Sequence, residues 1–212
     1  MGSLSTRRRI SVALAAAAAL GSFAASPAAA QDMPLPLQCQ ASPSFTSPQT
    51  FSLNAGVNAT APATVASGST FNVAIAPDAL TVPGSVGGYT VKSISGLKLS
   101  MPVPANATLV NATLSGGSGL GSTPSVAVSG NNIVLSVPGP IAGGQSFTLP
   151  VVTLQLKAGA AGTTISTQLS GSSYANPGLT FTASVPVWIF TMNVPTACYP
   201  SPNPVLSSTM VQ

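Results

Sequence analysis

Acid–base and nucleophilic catalysis draw on His, Glu, Asp, Cys and Lys, and this chain of 212 residues is nearly bare of them. It contains no His and no Glu, and its two carboxylates are Asp32 and Asp78. Bond cleavage by paired carboxylates needs two acidic groups flanking one bond, and only Asp78 stands inside the expected folded body. A Ser or Cys nucleophile needs His or another base within hydrogen-bond reach, and lysine is the only base left. Lys92, Lys98 and Lys157 each sit in a strand-like pattern beside apolar neighbours. An outward, solvated side chain is the ordinary arrangement there and a Ser-Lys pair the exceptional one. Zinc and copper sites gather His, Cys and carboxylates in threes and fours, and calcium loops need several carboxylates. The expectation is a protein that is not an enzyme and has no catalytic residue, no metal site and no cofactor.

Cys39 and Cys198 are the only cysteines, 159 positions apart. In an exported protein such a pair reads as one disulfide clasping the first and last segments. Closing a loop of that length is worth about 5 kcal/mol in the ideal case. Two free thiols are the alternative in a reducing exterior, although the chain beyond residue 30 has no His or Arg to lower a thiol pKa. Gln38 is too bulky before Cys39 for lipoprotein processing, so no covalent lipid anchor is expected.

Export itself is written in residues 1–30. Arg7, Arg8 and Arg9 precede an uncharged, Ala-rich run from Ile10 to Phe23, and the stretch closes on Ala28-Ala29-Ala30 before Gln31. That order matches a signal peptide cleaved between Ala30 and Gln31; the apolar run is too short to serve well as a bilayer span. Thr6-Arg7-Arg8-Arg9-Ile10 also loosely fits a twin-arginine motif, which leaves the general and the twin-arginine export routes both open. Removing the signal takes the formal charge from +4 to +1, three lysines against two aspartates. Nucleic acid is therefore an implausible partner, because phosphate neutralisation needs a field of Lys and Arg.

The elements that would carry any site alternate with period two. Phe51, Leu53, Ala55 and Val57 interleave with Ser52, Asn54, Gly56 and Asn58, and Phe71, Val73 and Ile75 repeat the pattern. Further strands are expected over Tyr89–Met101, Ala107–Leu114, Ser125–Val128, Ile133–Val137, Ser146–Lys157, Thr163–Leu169 and Leu179–Val194, separated by Gly-rich turns such as Gly87-Gly88 and Gly143-Gly144. About nine strands in one domain over residues 31–199 predict an antiparallel β-sandwich. Within Ser146–Lys157 the apolar parity changes between Phe147-Leu149-Val151 and Val152-Leu154-Leu156, which demands a bulge or a sandwich corner beside Pro150. Trp188 and Phe190 share a parity and are expected in the core. Residues 200–212, Pro- and Ser-rich, are expected to run extended over the surface.

Two segments carry a resemblance. Ser67-Gly68-Ser69-Thr70-Phe71-Asn72-Val73, the Pro turn after Leu99-Ser100-Met101, and Ala142-Gly143-Gly144-Gln145-Ser146-Phe147-Thr148-Leu149 are similar to the turn–strand units of immunoglobulin-like modules in bacterial surface proteins. The Ala-rich leader and the Gly/Ser/Thr/Pro-rich body resemble exported proteins of high-GC actinobacteria that are themselves uncharacterised. The resemblance implies an immunoglobulin-like sandwich and a non-catalytic, secreted or cell-envelope role in surface binding or envelope architecture, toward an envelope protein or lipid. A carrier holding an apolar, lipid-like ligand in its core is the alternative, and a membrane-inserted β-barrel or pore subunit is a third.

Intact mass of the exported protein should correspond to a start at Gln31 and one Cys39–Cys198 bridge. A different start refutes the cleavage site, and two alkylatable thiols before reduction refute the bridge.

Overall fold

The computed structural model describes residues 29–44 and 46–212, so the expected signal segment lies outside it except for the backbone of Ala29 and Ala30. Eighteen strands follow one another: β1 (Ala29–Ala41), β2 (Gln49–Ala61), β3 (Thr64–Val65), β4 (Thr70–Pro77), β5 (Leu80–Thr81), β6 (Ser85–Val86), β7 (Tyr89–Thr90), β8 (Ser93–Pro102), β9 (Ala107–Ser115), β10 (Ser125–Ser129), β11 (Asn132–Val137), β12 (Ile141–Ala142), β13 (Ser146–Phe147), β14 (Val151–Ala158), β15 (Thr164–Thr167), β16 (Leu179–Val187), β17 (Phe190–Pro200) and β18 (Ser207–Val211). No helix occurs among the described residues.

The principal sheet is antiparallel throughout, in the order β10-β11-β8-β16-β17-β1-β2-β4-β14-β9, with β12 also pairing β8. Its terminal strands, β9 and β10, approach each other, so the sheet folds over on itself into a sandwich nearly closed as a barrel. Leu35, Leu37 and Ile75 from one half line the same interior space as Leu97, Leu99 and Leu179 from the other. The alternation seen in the sequence sets this up. Phe71, Val73 and Ile75 of β4 and Val152, Leu154 and Leu156 of β14 are buried, while Asn72 and Lys157 point out. Each large apolar side chain taken from water adds about 1.5–3 kcal/mol.

Two irregularities keep the apolar residues inward where strict alternation would lose them. Gly96 has φ 62° and sits where the β16–β8 register slips between Thr180 and Thr182. Two residues of β8 there oppose one of β16, and a positive φ suits Gly in such a bulge. The buried positions accordingly pass from Ile94 to Leu97, Leu99 and Met101. The second irregularity is the corner in Ser146–Lys157. Phe147, Leu149, Val152, Leu154 and Leu156 are all buried, because the segment is two strands in two sheets: β13 pairs β5, and β14 pairs β4 and β9. The break falls at residues 148–150, on Pro150, and only Val151 is left half-buried.

Cys39 and Cys198 are bonded, with Cα atoms 4.1 Å apart. They are direct cross-strand partners in the β1–β17 ladder, at the close spacing of a non-hydrogen-bonded antiparallel pair. Pro34 and Pro36 fall where β1 has little beyond β2 for a neighbour, so their missing N–H groups leave little ladder unmade.

Three expectations are corrected. Leu179–Val194 is not one strand but the β16–β17 hairpin, which turns at Trp188-Ile189. The segment after residue 199 does not trail over the surface: Leu206 and Val211 are buried, and β18 lies between β15 and β3 in a three-stranded sheet. Its inward Ser and Thr are tolerated because they are bonded, Thr167 Oγ1 to Ser207 Oγ at 2.7 Å and Thr209 Oγ1 to the Pro62 carbonyl at 2.8 Å. The strands also outnumber the expected nine, because short two-residue pairings such as β6–β7 supplement the long ones.

Replacing Leu149 or Leu154 with Ala should cost about 2–5 kcal/mol in urea unfolding. Thr148→Ala and Gln155→Ala should each stay within about 0.5 kcal/mol. Equal effects for all four would contradict the corner.

Candidate functional site

The groups that could do chemistry are dispersed. Lys92, Lys98 and Lys157 are exposed, and among the described residues no hydrogen bond joins the ammonium of any of them to a serine hydroxyl. Asp32 pairs across the ladder with Asn58. The Asp78 amide donates to the Gly56 carbonyl at 2.9 Å, and its carboxylate packs on Gly56, where any Cβ would collide with it. Among the described residues no three His, Cys, Asp or Glu side chains cluster.

The interior offers little room. Two apolar cavities measure about 80 Å³, between the halves of the sheet, and about 50 Å³, beneath β16 and β17 beside Val86 and Tyr89. Ligand sites run to about 300 Å³ and more, so neither would enclose a lipid. The outward positions do not form an apolar belt either. Asn54, Asn72, Lys98 and Lys157 face solvent there, where a lipid-facing barrel would present an apolar band. A larger open groove of about 750 Å³ near Asn132, Gln168 and Tyr199 is a surface trough lined by uncharged residues, polar groups alternating with prolines.

The feature that stands apart is the hairpin tip. Trp188, Ile189 and Phe190 are 98%, 87% and 68% exposed. The sequence builds this projection locally. β8 pairs β16 only as far as Ser184, and β1 pairs β17 only as far as Thr196. Pro186 and Pro195 lie just beyond those limits, with no N–H to extend a neighbour's ladder. The hydrogen-bonded neighbours thus end below the turn, while one face of the ribbon stays packed as far as Val187 and the turn stands clear at its end. Its base is fixed, since Val185 and Val194 are buried. At its end a two-residue turn closes on the Val187–Phe190 pair, and Trp188 takes φ 58°, a conformation for which such turns prefer Gly. A bulky residue held left-handed costs about 1–2 kcal/mol.

Charge is distributed unevenly about this tip. The Lys92 amide donates to the Ser184 carbonyl at 2.8 Å, four residues below Trp188, whereas Lys98 pairs with Thr180, roughly 26 Å down the ribbon. Both described carboxylates lie toward the other end of the sheet. Asp32 precedes Ala41 by nine residues on β1, roughly 30 Å, and the ribbon extends beyond Ala41 in the opposite direction. Asp78 is bonded to Gly56, whose cross-strand partner is Pro34.

The expectation of a core Trp188 is corrected by this arrangement. The reading rested on the shared parity of Trp188 and Phe190 and passed over two signals. Val187-Trp188-Ile189-Phe190 has no alternation at all, so four such residues cannot all face one core from one strand. Pro186 and Pro195 flank the segment, and neither has an N–H with which to lengthen a ladder on its outer side.

No protein-family profile and no curated protein matches the chain. Among solved structures it is similar to the crystal structure of a "Putative membrane anchored protein" from Corynebacterium diphtheriae, with a TM-score of 0.57 and 18% identity over 86% of this chain. The chain spans 38% of that protein's length. At this identity the likeness is one of fold, an all-β architecture shared with an actinobacterial protein.

Proposed function

We propose that the protein is a non-catalytic, secreted or cell-envelope β-sandwich that works through its surface, with Trp188, Ile189 and Phe190 as the contact. The observation that carries this reading is the exposure of three consecutive large apolar residues on a braced ribbon, because exposed apolar patches on soluble folds mark interaction sites. The disulfide fits an oxidising compartment outside the cytoplasm, and the similar corynebacterial protein is described as membrane anchored. The immunoglobulin-like likeness, carried by the turn segments, belongs to this reading as an architectural analogy. Cys39 is engaged with Cys198 and not free to carry a lipid, which supports a non-covalent attachment.

Replacing Trp188, Ile189 and Phe190 together with Ser should release the protein from the cell-associated fraction into the medium, with a loss of association of at least about tenfold. The melting temperature should be nearly unchanged, because the tip contributes no core. Unaltered partitioning of the folded variant would refute the tip as the contact.

Trp188→Gly should separate stability from function. Glycine relieves the left-handed strain, so the variant should gain about 1 kcal/mol in urea unfolding while weakening association. Clear destabilisation would show that the indole supports the fold.

A further inference from the structure

We propose that the occupant of the Trp188–Phe190 tip is a lipid bilayer surface, entered by the turn and met at its headgroups by Lys92. This deepens the reading of the tip as a contact and rests on it. The first ground is shape. The apolar residues sit at the convex end of a two-stranded ribbon whose lateral pairing stops at Ser184 and Thr196, and a fluid acyl layer accepts a point without a preformed complementary pocket. The second is chemistry. Trp188 at the apex and Tyr89, on the adjacent β7 and 39% exposed, are the amphipathic aromatics that settle at the boundary of hydrocarbon and water, while Ile189 and Phe190 supply the purely apolar part.

The third ground is charge. Lys92, just before β8, is bonded to Ser184 four residues below Trp188, and Asp32 and Asp78 lie toward the far end of the sheet. Insertion of the turn therefore brings no carboxylate near anionic headgroups, and the Lys92 ammonium adds attraction to them. The braced base completes the case. Because Val185 and Val194 are packed into the core, the ribbon is held extended before it meets the lipid, and little ordering has to occur on contact.

Trp188 is the only tryptophan of the chain, so its fluorescence reports on the tip alone. The exported, disulfide-bonded protein is mixed with phosphatidylcholine vesicles, with and without phosphatidylglycerol, and with vesicles brominated along the acyl chains. The expected result is a shift of Trp188 emission to shorter wavelength and quenching by the brominated chains. Co-sedimentation should be stronger with phosphatidylglycerol, and Lys92→Gln should lower that preference while Lys98→Gln, farther down the sheet, should leave it nearly intact. Ile189→Ser with Phe190→Ser keeps the reporter and should weaken co-sedimentation at least about tenfold.

Unchanged emission with both vesicle types overturns the lipid occupant. If the tip variants nevertheless lose cell association, the contact reading stands and its partner is a protein. If they do not, both readings fall. A concentration-dependent blue shift without vesicles assigns the tip to a second copy of the chain and also overturns the lipid occupant.

Discussion

The seam between β1 and β17 is the constraint on which the rest of the structure depends. On one side of it stand β2, β4, β14 and β9, and on the other β16, β8, β11 and β10. No other ladder of the main sheet joins these two groups. The seam is only five residue pairs long, Leu37–Pro200 to Ala41–Thr196, extended by single backbone bonds from Ser201 to the Pro36 carbonyl and from Ser42 to the Pro195 carbonyl. A short ladder between segments 159 residues apart gains few hydrogen bonds for a large loss of chain entropy. The Cys39–Cys198 bond lies in the middle of that ladder, fully buried, where it keeps the two ends together even in the unfolded chain.

Once the seam is closed, the remaining problem is to turn one long sheet back on itself without exposing its apolar face. The bulge at Gly96 and the break at Pro150 solve it in different ways. Gly96 adds one residue and shifts the parity within β8, whereas residues 148–150 end one strand and begin another in a different sheet. On the edge strand β9 a third irregularity, where the pairing with β14 slips between Gln155 and Leu156, leaves Val110 exposed and unpaired. A bulge in an edge strand also discourages another chain from adding to it.

These features were unequally legible in the residues. The strands were readable because charge is almost absent and apolar residues alternate with Ser, Thr and Asn over long runs. The corner was readable from a parity clash that no regular strand can absorb. Gly96 was not, since one glycine among many gives no sign that it holds a bulge until the opposing strand is known. The inward face of β18 was hidden for another reason. Ser207 and Thr209 look solvent-facing in isolation, and only Thr167 and the Pro62 carbonyl, distant in sequence, make their burial affordable. The tip was misread because a shared parity was given more weight than the loss of alternation around it, and periodicity cannot say where a chain reverses.

The frame and the tip are complementary in their surface chemistry. Outward positions along β2, β4 and β14 carry Asn, Thr, Gln and Lys, so the faces of the sandwich offer nothing strongly adhesive. Against that background three adjacent apolar side chains form the most exposed large apolar feature of the described chain. They are presented by a turn whose first central residue would be more comfortable as glycine. A tryptophan in that position weakens the fold locally and places its ring in water, two costs with no return inside the protein. The return has to come from outside it, which is the physical reason for assigning the proposed function to the end of one hairpin.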